Sequence, residues 1–184
     1  MSFVGIKIPH ETARLLSQIA VPGSPVPLDQ MHITVCYLGE NISITQIAKA
    51  VAAIYKVTSK RTPFTLKTSK VKCFPTATDI GVPVIARVNS PELLEFQQCI
   101  TAGFDKCGIH YDKRYPDFKP HITLSYAEDQ IDCITFEHPI EWAAHEATLW
   151  AGDWGDDRLS ATFPFILGPT KESYYRHVIK QHKK

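Results

Sequence analysis

The chain has 184 residues, 44% of them apolar and 21% charged, and a formal net charge of +1. That is the composition of a soluble globular protein with one core, or with two small lobes sharing one. It excludes a globally basic, nucleic-acid-coating chain and leaves room only for a local basic cleft. Cys36, Cys73, Cys99, Cys107 and Cys133 are odd in number, scattered, and form no C-x-x-C pair. Neither a disulfide framework nor a zinc ribbon is indicated, and reduced thiols in a cytoplasm are expected. Lys7 and Pro9 interrupt the only early apolar run, and no run approaches the roughly 20 residues of a membrane helix.

Residues 3–8 are a β-branched run stopped by Pro9, a strand. Residues 10–19 carry Ala13, Leu15, Leu16 and Ile19 at helical spacing. Residues 21–28 hold Pro22, Gly23, Pro25 and Pro27 and read as loop. Residues 32–38 form a buried strand ending at Gly39. Strand alternation puts His32, Thr34 and Cys36 on one face, and Ile33, Val35 and Tyr37 on the other. Residues 43–58 form a helix with Ser43 or Asn41 as its cap. Residues 64–74 read as a strand or two, 75–79 as a turn, and 81–88 as a strand. Pro91 opens a helix reaching residue 104. A polar, aromatic loop, 108–119, leads to a strand beginning at His121. Strands follow at 131–136, 140–150 and 158–165, the last two forming a hairpin around the turn 151–157. The expected organisation is one two-lobed domain over residues 1–168 and a basic tail over 169–184, either a short helix or disordered.

One stretch occurs twice. Residues 31–40 read M-H-I-T-V-C-Y-L-G-E and residues 120–129 read P-H-I-T-L-S-Y-A-E-D. Aligned on His32 and His121, 89 residues apart, both copies have His, Ile, Thr and Tyr at the same offsets. Each copy follows a strand, a helix and an irregular loop, so the whole supersecondary unit is duplicated.

Two imidazoles brought together suit paired acid–base work, because each titrates near pH 6.5 and one can be neutral while the other is protonated. A threonine two residues along the same strand face can donate a hydrogen bond to a phosphate oxygen. The set His32, Thr34, His121 and Thr123 thus supplies base, acid and anion clamp, with no covalent nucleophile and no carboxylate set for a metal. That matches cleavage of a phosphodiester by an internal or water oxygen, with neither metal nor cofactor. The competing explanation is a duplicated packing motif, which predicts that the histidines lie far apart.

At these stretches the sequence resembles the 2H phosphoesterase superfamily, defined by two His-x-Thr/Ser motifs. H-I-T-V-C-Y-L-G-E is similar to its first motif and F-K-P-H-I-T-L-S-Y to its second. Cys73, Phe74 and Pro75, leading to the strand at 82–88, are similar to its middle region. The likeness extends to about Phe165. It implies an α+β, two-lobed, pseudo-symmetric fold, with antiparallel sheets around a central cleft and outer helices. It also implies a metal-independent phosphodiesterase in which His32 and His121 are the acid–base pair and Thr34 and Thr123 hold the phosphate. The family includes RNA 2′,3′-cyclic phosphodiesterases (2′-5′ RNA ligases), 2′,5′-oligoadenylate-cleaving enzymes, and phage anti-CBASS enzymes that cleave cyclic oligonucleotide signals. The Pro-rich lead into P-L-D-Q-M-H-I-T looks more like phage members, which would place the protein in a host cytoplasm.

The expected partner is a small nucleotide or oligonucleotide, with no membrane and no obligate protein partner. The alternatives are an RNA-end phosphodiesterase and a non-catalytic protein that sequesters a nucleotide. Further substrate contacts are expected from His10 at the end of the first strand, from Cys36 and its counterpart Ser125, from Arg114, Tyr115 and Lys119 before the second motif, and from Trp154 stacking on a base. Tyr37 and Tyr126 are expected to face away, and Trp142 and Trp150 to lie in the core.

Overall fold

Alternating apolar residues at 2–7, 32–39, 64–73, 82–89 and 121–127 supply strands that bury one side against helices. The computed structural model describes residues 1–40, 42–114, 117–152 and 159–166. In order, the elements are β1 (Ser2–Lys7), α1 (His10–Ser17), β2 (Ser24–Pro25), a 3-10 turn (Leu28–Gln30), β3 (His32–Gly39), α2 (Ile44–Thr58) and β4 (Phe64–Cys73). Then come β5 (Val82–Asn89), α3 (Pro91–Cys107), β6 (His121–Ala127), β7 (Ile134–Ala144), β8 (Glu146–Ala151) and β9 (Leu159–Pro164). Sheet one has the order β3-β1-β8-β9 and sheet two the order β2-β6-β5-β4-β7, with every pairing antiparallel.

The duplicated unit is visible in the pairing. β1 pairs with β3 across α1, and β5 pairs with β6 across α3. The next two strands also correspond, so β3-β1-β8-β9 matches β6-β5-β4-β7. This is the two-lobed α+β fold expected from the sequence. Val4, Ile6, Ile33, Val35 and Leu149 of sheet one, with Leu66, Val71, Val84, Ala86 and Ile122 of sheet two, join Ala13, Leu16, Ile54, Phe96 and Phe104 of the helices in a continuous core. Ser43 caps α2 by accepting from the Gln46 amide at 3.2 Å, and Ser90 caps α3 by accepting from the Leu93 amide at 3.2 Å. Helix α3 runs three residues beyond the predicted end at 104, to Cys107. Gly108 stops it with φ at +62°.

Two loops tie the lobes together reciprocally. The Pro-rich loop before β3 crosses to sheet two. Its two residues of β2 pair with Ser125 and Tyr126, and the Val26 amide donates to the Leu124 carbonyl at 2.8 Å. The loop before β6 crosses the other way, its Asp112 amide donating to the Tyr37 carbonyl at 2.8 Å. Each histidine-bearing strand is thus held by the loop that leads into the other one. Gly23 makes the first crossing possible, because its φ is +92° and a Cβ there would lie 2.1 Å from the Tyr126 carbonyl oxygen.

The reading of 64–74 as a strand or two is borne out, and two later strand assignments differ from expectation. Residues 64–73 are one strand with a register shift between Thr68 and Lys70. The stretches 131–136 and 140–150 are redivided. β7 continues through Pro139, which an edge strand tolerates. The run 140–150 is cut at His145, where the chain leaves sheet two for sheet one. The buried set shifts phase there, from Trp142 and Ala144 to Ala147 and Leu149. The expected hairpin pairs β8 with β9. Its turn and the basic tail lie outside the described residues. No helix among the described residues is long and apolar enough to cross a membrane.

Candidate active site

His32 and His121 open β3 and β6, the strands at which the two lobes touch. Their backbone settings are copies of each other. His32 lies opposite Lys7 and His121 opposite Arg87. The Ile8 amide bonds the Met31 carbonyl in one lobe, and the Val88 amide bonds the Pro120 carbonyl in the other. Each ring is locked in the same manner: Nδ1 of His32 meets the Gln30 carbonyl at 2.7 Å, and Nδ1 of His121 meets the Lys119 carbonyl at 2.7 Å. A carbonyl only accepts, so each Nδ1 carries the hydrogen. The basic nitrogen of each neutral ring is therefore Nε2.

Thr34 and Thr123 stand two residues on, opposite Gly5 and Ile85, on the same faces as the histidines and half-buried. Neither hydroxyl hydrogen-bonds within the protein among the described residues. Both are therefore available to donate to an anion. Burial lowers the pKa of His121 below the ordinary 6.5, opposed by its bond to the Lys119 carbonyl. The ring is held toward its neutral form.

Strict alternation fails immediately after each threonine. Thr34 pairs with Gly5 and Cys36 with Val4, leaving Val35 as an extra residue. Thr123 pairs with Ile85 and Ser125 with Val84, leaving Leu124 as the extra one. Both motifs contain the same β-bulge. The bulge turns Cys36 and Ser125 into the core, at 6% and 1% exposure, and not onto the face they were expected to line. Burial first, then the charges of Asp105 and Asp112, pushes the Cys36 thiol up to about 12. The Ser125 hydroxyl donates to the Pro22 carbonyl at 2.7 Å and secures the crossing loop. The bulge also brings Tyr37 and Tyr126, expected to face away, onto the histidine faces, half-buried opposite Phe3 and Pro83.

Aromatic rings back both imidazoles. Phe3, only 1% exposed, stacks on His32 at 4.6 Å between centroids and lies 4.9 Å from Trp150, which is itself 5.8 Å from His32. Phe74 stands 4.8 Å from His121. Trp142 is buried as expected, but Trp150 is half-buried beside the site and not core. Its role was missed because the division between β7 and β8 was missed; Phe74 was signalled only by the family's middle segment.

The remaining candidates are scattered. His10 is exposed at the start of α1. The exposed Lys119 contributes its carbonyl to the His121 lock. Arg114 is held in a two-pronged pair by Asp112, with Nη2 at 2.7 Å. Tyr115 and Trp154 lie outside the described residues. A groove of about 600 Å³ between α2 and α3 is lined by residues such as Lys56, Cys99 and Gly103 and by none from β3 or β6. It has no part in this site.

The sequence profile of the 2′-5′ RNA ligase superfamily matches residues 9–155, the span that contains both motifs. The chain belongs to that superfamily, the 2H phosphoesterases. This phosphoesterase is 29% identical over 130 residues to the anti-CBASS protein Acb1 of Vibrio phage KVP40, covering 68% of this chain and 72% of that protein. Its fold matches TT0787 of Thermus thermophilus, with a TM-score of 0.73, 19% identity, and coverage of 89% of this chain and 97% of that one. It also matches E. coli LigT crystallised with 3′-AMP, with a TM-score of 0.67, 20% identity, and coverage of 90% and 94%. Membership supports an enzyme of phosphodiesterase type.

Proposed function

We propose that this phosphoesterase cleaves a phosphodiester of a cyclic oligonucleotide by acid–base catalysis between His32 and His121. The observation that carries this reading is the pair of identical locks, each fixing an imidazole with Nδ1 on a backbone carbonyl and Nε2 as the exchanging nitrogen. The neutral ring takes the proton from a ribose 2′-hydroxyl as its oxygen attacks the adjacent phosphorus. The protonated ring gives a proton to the departing 5′-oxygen as the P–O5′ bond breaks. The products are a 2′,3′-cyclic phosphate end and a free 5′-hydroxyl. Thr34 and Thr123 donate to the non-bridging oxygens, where charge builds in the transition state. Burial favours His121 for the role of base. The likeness to a phage anti-CBASS protein supports a cyclic substrate.

Run in the opposite direction with water in place of the 5′-hydroxyl, the same groups open a 2′,3′-cyclic phosphate. That is the second reading, an RNA-end phosphodiesterase, and the superfamily's RNA-directed description favours it. Incubation with cyclic dinucleotides, 2′,5′-oligoadenylate and 2′,3′-cyclic mononucleotides in the presence of a chelator separates the two. Linearisation of a cyclic dinucleotide is the expected result. Turnover of cyclic mononucleotides alone supports the RNA-end reading, and turnover of none of them sinks both.

A further inference from the structure

The face of sheet two that carries His121 and Thr123 continues into cations. Arg87 lies opposite His121, and Lys70 lies opposite Arg87 on the next strand. Ile85 lies opposite Thr123, and Lys72 lies opposite Ile85. Directly paired residues share a sheet face, so the rows His121-Arg87-Lys70 and Thr123-Ile85-Lys72 run outward from the site side by side. None of the three cations forms an ion pair or hydrogen bond among the described residues. Among the described residues Arg14, Arg61, Lys113 and Arg114 are ion-paired, whereas lysines such as Lys49, Lys56 and Lys106 are not, so what sets Arg87, Lys70 and Lys72 apart is their alignment beside His121 and Thr123. In a chain of net charge +1, an unneutralised strip beside the histidines is a local excess. Lys67, further along β4, already has Glu141 opposite it. The corresponding face of sheet one carries Lys7 next to His32, and then Gly5, Thr148, Phe3 and Trp150.

We infer that Arg87, Lys70 and Lys72 form a subsite for a second phosphate of the substrate, next to the phosphate being cleaved. Neighbouring strands lie about 4.8 Å apart, so Lys70 stands roughly 10 Å from His121, a distance that one nucleotide step and a lysine side chain together span. The substrate class follows: a chain or ring with at least two phosphates, lying with its further phosphate over sheet two. The inference rests on the phosphodiesterase reading for which phosphate is the scissile one.

The test uses binding and not turnover, so it stands apart from that reading. The 2′-deoxy dinucleotides dApdA, pdApdA and dApdAp lack the attacking hydroxyl and differ only by one terminal phosphate. For the wild type, one of the two added phosphates is expected to tighten binding by about tenfold, the worth of one charge-assisted contact. It is also expected to steepen the dependence of log affinity on log salt by about 0.7. In Lys70→Gln/Lys72→Gln both gains disappear. In Lys56→Gln/Lys60→Gln, which removes the same charge from α2 and the turn after it, both persist. No gain from either added phosphate, a gain that survives in Lys70→Gln/Lys72→Gln, or an equal loss in the Lys56→Gln/Lys60→Gln variant overturns the subsite. Failure of the wild type to turn over any ribonucleotide overturns the catalytic reading alone.

Discussion

The two lobes share one backbone and differ in what surrounds the histidine. In both, a strand opens with His-Ile-Thr, bulges after the threonine and is locked by a loop from the other lobe. In sheet one Lys7 lies opposite His32, as Arg87 lies opposite His121, but the rows beyond are small or aromatic: Gly5, Thr148, Phe3 and Trp150. In sheet two the rows from His121 and Thr123 end in Lys70 and Lys72. Duplication therefore preserved an oriented imidazole, a hydroxyl two residues on and a cation opposite the imidazole. The next strand out diverged, carrying Thr148 and Trp150 in one lobe and Lys70 and Lys72 in the other. That is the arrangement expected of a site that treats both ends of a phosphodiester alike but receives the rest of an asymmetric ligand on unlike surfaces.

If the lobes are equivalent for chemistry, His32→Ala and His121→Ala each lower kcat by about 10²- to 10⁴-fold, and the double variant is scarcely worse than either, because the two act as a unit. Single-turnover rates check this; a single variant that retains full activity breaks the equivalence. The next largest effect is expected from Thr34→Val and Thr123→Val. Each removes a hydrogen bond to a charged group worth about 1.5–3 kcal/mol, and so costs about 10- to 150-fold in kcat. A large difference between the two would show that one lobe does most of the anion binding.

The bulge offers a structural contrast between equivalent positions. Ser125→Ala leaves the Pro22 carbonyl without its donor and is expected to destabilise by about 1–2 kcal/mol in urea titration. Cys36→Ala, a small change at a buried thiol with no such bond, is expected to cost less. Neither substitution is expected to lower activity beyond its effect on folding, since both side chains face the core.

The smallest effect concerns pH. Burial keeps the protonated form of His121 unfavourable in the folded state. The associated stability is present above the ordinary pKa of 6.5 and is lost as pH falls below it, through the lower folded value. Phe74→Leu opens the ring to water and raises that folded value. The acid limb of kcat/KM then moves to higher pH and the loss of stability in acid becomes shallower. An unmoved acid limb would assign it to another group.

Much of this was legible in the chain. Proline and glycine bounded the early elements, and apolar periodicity placed α1, α2, α3 and most strands among the described residues. The repeat singled out His32, Thr34, His121 and Thr123, because residue identity at fixed offsets is local information. Strict alternation then misassigned Cys36, Tyr37, Ser125 and Tyr126, because a bulge depends on the partner strand. Val35 and Leu124 are extra residues only in relation to β1 and β5. The uncut reading of 140–150 failed for a related reason. Both halves of that run are good strand, and only the existence of two sheets makes His145 a boundary.

By itself the sequence determined that there are two copies of one strand, what chemistry their side chains can perform, and which superfamily they resemble. Those follow from residue type and spacing. Tertiary structure alone decided that Gln30 and Lys119 carbonyls lock the rings, that Phe3, Phe74 and Trp150 back them, and that Arg87, Lys70 and Lys72 line up beside one of them. Those relations depend on strand register and on loops crossing between lobes. Register is a property of pairs of segments far apart in the chain, and no single segment encodes it.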